Sequence, residues 1–162
     1  MTRVPSAWLV YGSLFAGVVL LVVPLPAGVQ LARPYLLGML LCYWLLESPD
    51  HVGLGVAFLC GLVADVVAGT LLGEQALRLA VLAFLVQRFR ARLRFFPLWQ
   101  QAGAVFALLL NDRLIAAAIH LVAGDGLPPW AVWLSPLLGF ALWPWLFLLL
   151  DGVRLRLRER AG

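Results

Sequence analysis

Charge is what this chain has least of. Of its 162 residues only 8 are acidic and 12 basic, every base is arginine, and lysine does not occur. So little charge cannot clothe a soluble domain of this length, because a small globule keeps a large share of its surface in water. Cysteine is nearly missing as well: Cys42 and Cys60 each sit inside an apolar run. Without CxxC or Cys/His spacing they exclude a disulfide framework, a zinc site and a redox motif. His51 in a polar turn and His120 in an apolar helix have no second ligand at metal-binding spacing. No nucleophile stands beside a base, no carboxylates pair at helical spacing, and no glycine loop can cradle a phosphate. The sequence therefore argues against an enzyme and against a bound cofactor or metal.

What is abundant is apolar: 64% of residues are hydrophobic and the mean hydropathy is +0.98. The solvent for such a chain is lipid. Apolar runs and breakers predict six transmembrane helices at about 7–23, 34–46, 52–69, 76–87, 98–122 and 131–150. The segments between them are too short to fold separately, so residues 1–162 form a single all-α membrane domain ending in a basic tail, 151–162. The first run follows Arg3 but ends in no small-x-small cleavage pattern, and is expected to stay as a helix. Pro136 and Pro144 interrupt the sixth run and predict a kink, with Trp143 and Trp145 filling it. Trp8, Trp44, Trp99, Trp130 and Trp133 fall near predicted helix ends, where an indole suits the headgroup region.

The second and fourth runs are short for a span, and the arginines supply independent support. Arg3, the cluster Arg88, Arg90, Arg92 and Arg94, and the tail Arg154, Arg156, Arg158 and Arg160 are separated by even numbers of crossings. Six spans put all of them, and both termini, on the cytoplasmic side of the membrane. On that reading the basic clusters signal topology and meet anionic lipid rather than nucleic acid. Arg33 and Arg78 are expected to extend short runs as snorkelling flanks.

The third run carries a stripe of small residues, Gly53, Ala57, Gly61, Asp65, Gly69 and Gly73, one every four positions. Such a stripe lets helix backbones approach closely in lipid, and it predicts a packing or partner face at Gly61, Asp65, Gly69 and Gly73. Asp65 is an acid at depth, costly unless it faces a partner or a polar cavity. The fifth run holds Asn111, Asp112 and Arg113. Asp65 lies 13 residues beyond Val52 and Arg113 15 beyond Leu98, roughly 20 Å up each helix at about 1.5 Å per residue. Matched depth predicts an Asp65–Arg113 contact, or a polar pocket shared with Asn111 and Asp112; water entry at a break is the other reading. Glu74 and Arg78 read as a solvated i,i+4 pair without chemistry.

Six short helices, Gly61-Leu62-Val63-Ala64-Asp65 with Gly69, Leu72-Gly73 and Ala76-Leu77, and Arg92-Leu93-Arg94 leading into Phe96-Pro97-Leu98-Trp99-Gln100-Gln101 together resemble the MreD family of rod shape-determining proteins. Arg33-Pro34 at the start of the second run looks like that family too, whereas Asp112-Arg113 matches no motif of it. The resemblance spans the whole chain. It implies a non-catalytic inner-membrane scaffold of the bacterial elongation complex, with MreC as direct partner. MreB, RodA and a penicillin-binding transpeptidase would share the complex, which supports peptidoglycan synthesis and rod shape. The family also resembles the substrate-binding components of energy-coupling-factor transporters, six-helix proteins with a ligand pocket. That leaves a small-molecule or lipid-intermediate binding module as the alternative function. A pocket lined by Asp65, Arg113 and Trp133 would favour it.

Overall fold

The segment LLGMLLCYWLLE is apolar on every side, and a helix of that kind is stable only when covered on every side. In the computed structural model it forms the central helix of the molecule. Residues 7–24, 26, 35–47, 52–69 and 71–161 are described. Their elements are α1 (Ala7–Val22), α2 (Leu36–Glu47), α3 (Leu54–Ala68), α4 (Glu74–Leu93), α5 (Leu98–Val122), a 3₁₀ turn (Trp130–Trp133) and α6 (Leu134–Ala161). Every residue of α2 from Leu37 to Leu46 is buried, covered by α1, α4, α5 and α6. The described elements are all helical. Arg3, His51 and residues 27–34, which include most of the first connecting segment, lie outside the described residues.

Side-chain contacts fix how the helices run. The Trp44 indole N–H donates to Ser13 Oγ at 2.7 Å, tying the C-terminal half of α2 to the N-terminal half of α1. Arg90, near the end of α4, donates to the Leu45 and Leu46 carbonyls at 3.2 Å each. Arg154, near the end of α6, pairs with Glu47 at 3.0 Å and with Asp151 at 2.8 Å. Arg90 thus satisfies orphan carbonyls at the C-terminus of α2, and both arginines bring positive charge to the negative end of its dipole. One end of the molecule gathers the basic part of α4 and the basic tail. The α3–α4 turn and the α5–α6 connection lie at the other.

Two helices, Leu98–Val122 and Leu134–Leu157 within α6, are long and apolar enough to cross a membrane. α1, α2 and α3 are apolar but shorter, at 16, 12 and 15 residues. Several sequence expectations need correction. The segment 88–94, expected as a loop, is helix through Leu93, and the tail is helix to Ala161, so both clusters decorate helix ends rather than free loops. α6 continues as one helix through Pro144, with Trp143 fully buried in the core and Trp145 exposed. Trp44 is buried rather than at a rim, whereas Trp8, Trp99 and Trp130 are exposed.

Close approach of α3 and α4 depends on Gly61. A methyl group there would overlap the backbone of Gln75 and Ala76. Gly61→Ala is therefore expected to destabilise by about 3 kcal/mol, since backbone cannot step aside as a side chain does. Gly12→Ala on α1, where nothing lies within 4 Å of the added carbon, should be neutral to about 1 kcal/mol stabilising. Thermal unfolding of the two variants in detergent measures the contrast.

Candidate functional site

α3 ends at Gly69, whose φ of +70° and N–H to the Asp65 carbonyl close the last turn. After Leu71 and Leu72 the chain re-enters helix through Gly73, at φ +98°. Both glycines occupy left-handed backbone, which a side chain disfavours. Their place in the small-residue stripe is therefore a matter of turn geometry, and the packing member of the stripe is Gly61.

The turn delivers the start of α4 onto Asp65. Its Oδ2 accepts the Gly73 N–H at 2.8 Å and Oδ1 accepts the Gln75 N–H at 2.8 Å. The Ala76 N–H lies at 3.4 Å from Oδ2. Gly73 has no side chain to cap α4, so a carboxylate from the preceding helix does it, satisfying orphan donors and complementing the positive end of the dipole. Asp65 is 1% exposed, and this arrangement explains how a buried acid is tolerated there.

One turn further, Arg78 is 5% exposed and Asp112 2%. Arg78 Nε donates to Asp112 Oδ1 at 2.9 Å and Nη2 to Oδ2 at 2.6 Å, the bidentate fork that arginine alone offers a carboxylate. The guanidinium lies 4.8 Å over the Tyr35 ring, and the Tyr35 hydroxyl donates to Gln75 Oε1. The remaining nitrogen reaches Glu74 Oε1 at 3.5 Å. Across from it, His120 Nε2 stands 3.2 Å from the same oxygen, and Nδ1 faces Asp125 Oδ2 at 3.1 Å. Arg113 donates from Nη2 to Ser135 Oγ at 3.1 Å.

Depth matching along the third and fifth runs paired the wrong residues. Asp65 caps α4 and Arg113 turns to Ser135 at the start of α6, while the buried ion pair joins Asp112 to Arg78. Arg78, by sequence a snorkelling flank and half of a solvated pair with Glu74, does meet Glu74, but the pair is buried. Arg78 sits inside the predicted fourth run, and a cation within an apolar run was the signal that could have marked it. Tyr35, Gln75 and Ser135 have no such signal, because their roles arise only from α2, α4 and α6 meeting at one end. A cavity of about 140 Å³ opens beside the ion pair between α4, α5 and the 3₁₀ turn. Arg113 and Trp133 line it together with Glu74, Arg78 and His120, and Asp65 is not among its lining residues. At the opposite end Arg88, Arg92 and Arg94 are exposed.

A helical bundle with two membrane-length helices, a buried network of charge near one end and a rim of arginines at the other defines a class: a helical membrane protein whose charged residues hold helices together. The model of the rod shape-determining protein MreD matches residues 2–153, and the chain belongs to that family. The rod shape-determining protein MreD of Haemophilus influenzae is 31% identical over 158 residues, covering 97% of this chain and 98% of that protein. No solved structure matches the chain, so the likeness to energy-coupling-factor components rests on no structural relative. The family is one of shape-determining structural proteins rather than a known enzyme family.

Proposed function

We propose that the protein is an integral scaffold of the rod-elongation complex that holds the bitopic protein MreC. MreB, RodA and a penicillin-binding transpeptidase act in the same assembly, in support of peptidoglycan synthesis and rod shape. Family membership over nearly the whole chain carries this reading. The burial of Asp65, Arg78 and Asp112 in contacts that join helices supports it. MreC is assigned to the groove of about 410 Å³ between α1 and α3, lined by Tyr11, Phe15, Leu59 and Val63 among others. That groove carries no charged residue, so a single apolar helix can lie along it in lipid.

Val63→Trp should fill the groove while leaving the protein at normal abundance. Recovery of MreC with the protein should fall several-fold and rod-shaped cells should become round. Unchanged recovery at normal abundance removes this face from consideration.

All six helices cross the membrane in the proposed arrangement, with both termini and the arginine-rich end in the cytoplasm. In a background without Cys42 and Cys60, a single cysteine at Asp125 should label with an impermeant thiol reagent in intact cells. One at Ala91 should label only after lysis. Labelling at Ala91 in intact cells would reverse the orientation.

A further inference from the structure

We infer that the cavity beside the ion pair is a binding site for a small zwitterion, a primary ammonium joined within a few bonds to a phosphate or carboxylate. The inference needs only the cavity and stands apart from the scaffold reading. Its basis is two buried, unpaired polar atoms carried by side chains that line one space of about 140 Å³. Glu74 Oε2 and Arg113 Nε have no hydrogen-bond partner among the described residues, although both side chains line this cavity. The Glu74 side chain is 3% exposed. Each residue is held by its other atoms: Glu74 Oε1 by Arg78 and His120, Arg113 Nη2 by Ser135. What remains is a fixed acceptor and a fixed donor, and unpaired groups of this kind are costly in an apolar setting.

Charge narrows the ligand. Arg78 is shared between Asp112 and Glu74, so with Arg113 the two cations balance the two carboxylates, and the unpaired atoms are an acceptor on Glu74 and a donor on Arg113. A plain anion would meet Glu74 and a plain cation would meet Arg113, whereas a zwitterion satisfies both. The ammonium must carry N–H bonds to donate to Glu74 Oε2, and Trp133, an aromatic side chain of the kind cations favour, lines the same space. Size narrows it further. The space equals about five water molecules at about 30 Å³ each, enough for an ethanolamine phosphate or a small amino acid and well below the ~300 Å³ that drug-sized ligands need. A phosphatidylethanolamine headgroup and a soluble amino-acid-like zwitterion share this chemistry.

The test uses the full-length protein, delipidated in mild detergent. One arm offers phosphatidylethanolamine, phosphatidylcholine and phosphatidylglycerol in equal amounts and reads retained lipid by native mass spectrometry. The other measures the thermal shift given by O-phosphoethanolamine, phosphocholine and alanine. The ethanolamine compound should bind about tenfold better than its choline counterpart, in whichever arm responds, because a quaternary ammonium cannot donate to Glu74. Glu74→Gln and Arg113→Gln should each weaken that binding about tenfold, and Arg92→Gln at the far end should leave it intact. Response in the lipid arm alone identifies a headgroup, and response in the soluble arm alone identifies a free zwitterion. Equal binding of ethanolamine and choline forms, indifference to both substitutions, or no binding in either arm overturns the site. Should Glu74→Gln fail to fold, Arg113→Gln and Trp133→Leu carry the same decision.

Discussion

Replacing Arg78 by glutamine should cost about 3–5 kcal/mol of stability, the largest effect expected of any single change in this chain. The loss leaves Asp112 ionised and unpartnered at 2% exposure, and removes the cation stacked on Tyr35. Asp112→Asn should cost a similar amount for the mirror reason, since it strands a guanidinium whose two strongest bonds go to that carboxylate. The double variant Arg78→Met, Asp112→Leu should recover most of either loss, because an apolar pair of similar volume has no charge to desolvate. Unfolding followed by denaturant or heat in a single detergent measures all three. Single substitutions that each cost under about 1 kcal/mol would show the pair to be solvated, as exposed ion pairs are.

That pair also shows how far the residues alone could be read. The six apolar runs and their order follow from composition and breakers, since helix-forming runs in lipid need no knowledge of their neighbours. The need for a partner at Asp65 and at Asp112-Arg113 was equally visible, because an ionisable group among apolar residues is a local feature. The pairing was not. Counting depth from helix starts assumes that every helix begins at the same level. Here Gly69 and Gly73 fold the chain back so tightly that the start of α4 packs against Asp65. That places Arg78, rather than Asp65, level with Asp112. The offset is set by Gly61 against the Gln75 and Ala76 backbone, a contact of two helices that neither helix announces. The same holds at the other end. Arg90 reads from sequence as a topology marker, yet it binds the last carbonyls of α2 because α2 is short enough to end beside it.

Removing the side chain at position 65 should also have a large effect. Asp65→Ala should cost about 3 kcal/mol, the sum of a lost N-cap and a lost charge at the positive end of α4 in a buried setting. The Gly73 and Gln75 N–H groups, each held at 2.8 Å, would have no water to turn to. Asp65→Asn keeps one acceptor oxygen but turns an NH₂ toward donors, so about half of that cost should remain. The double variant Asp65→Asn, Arg113→Gln decides between the geometry and simple depth matching. Partnership would make the double cost less than the sum of the singles. Since Asp65 binds the start of α4 and Arg113 binds Ser135, the two costs should instead add to within about 0.5 kcal/mol. A coupling above about 1 kcal/mol would mean that the two side chains do meet, and that α4 starts elsewhere than on Asp65.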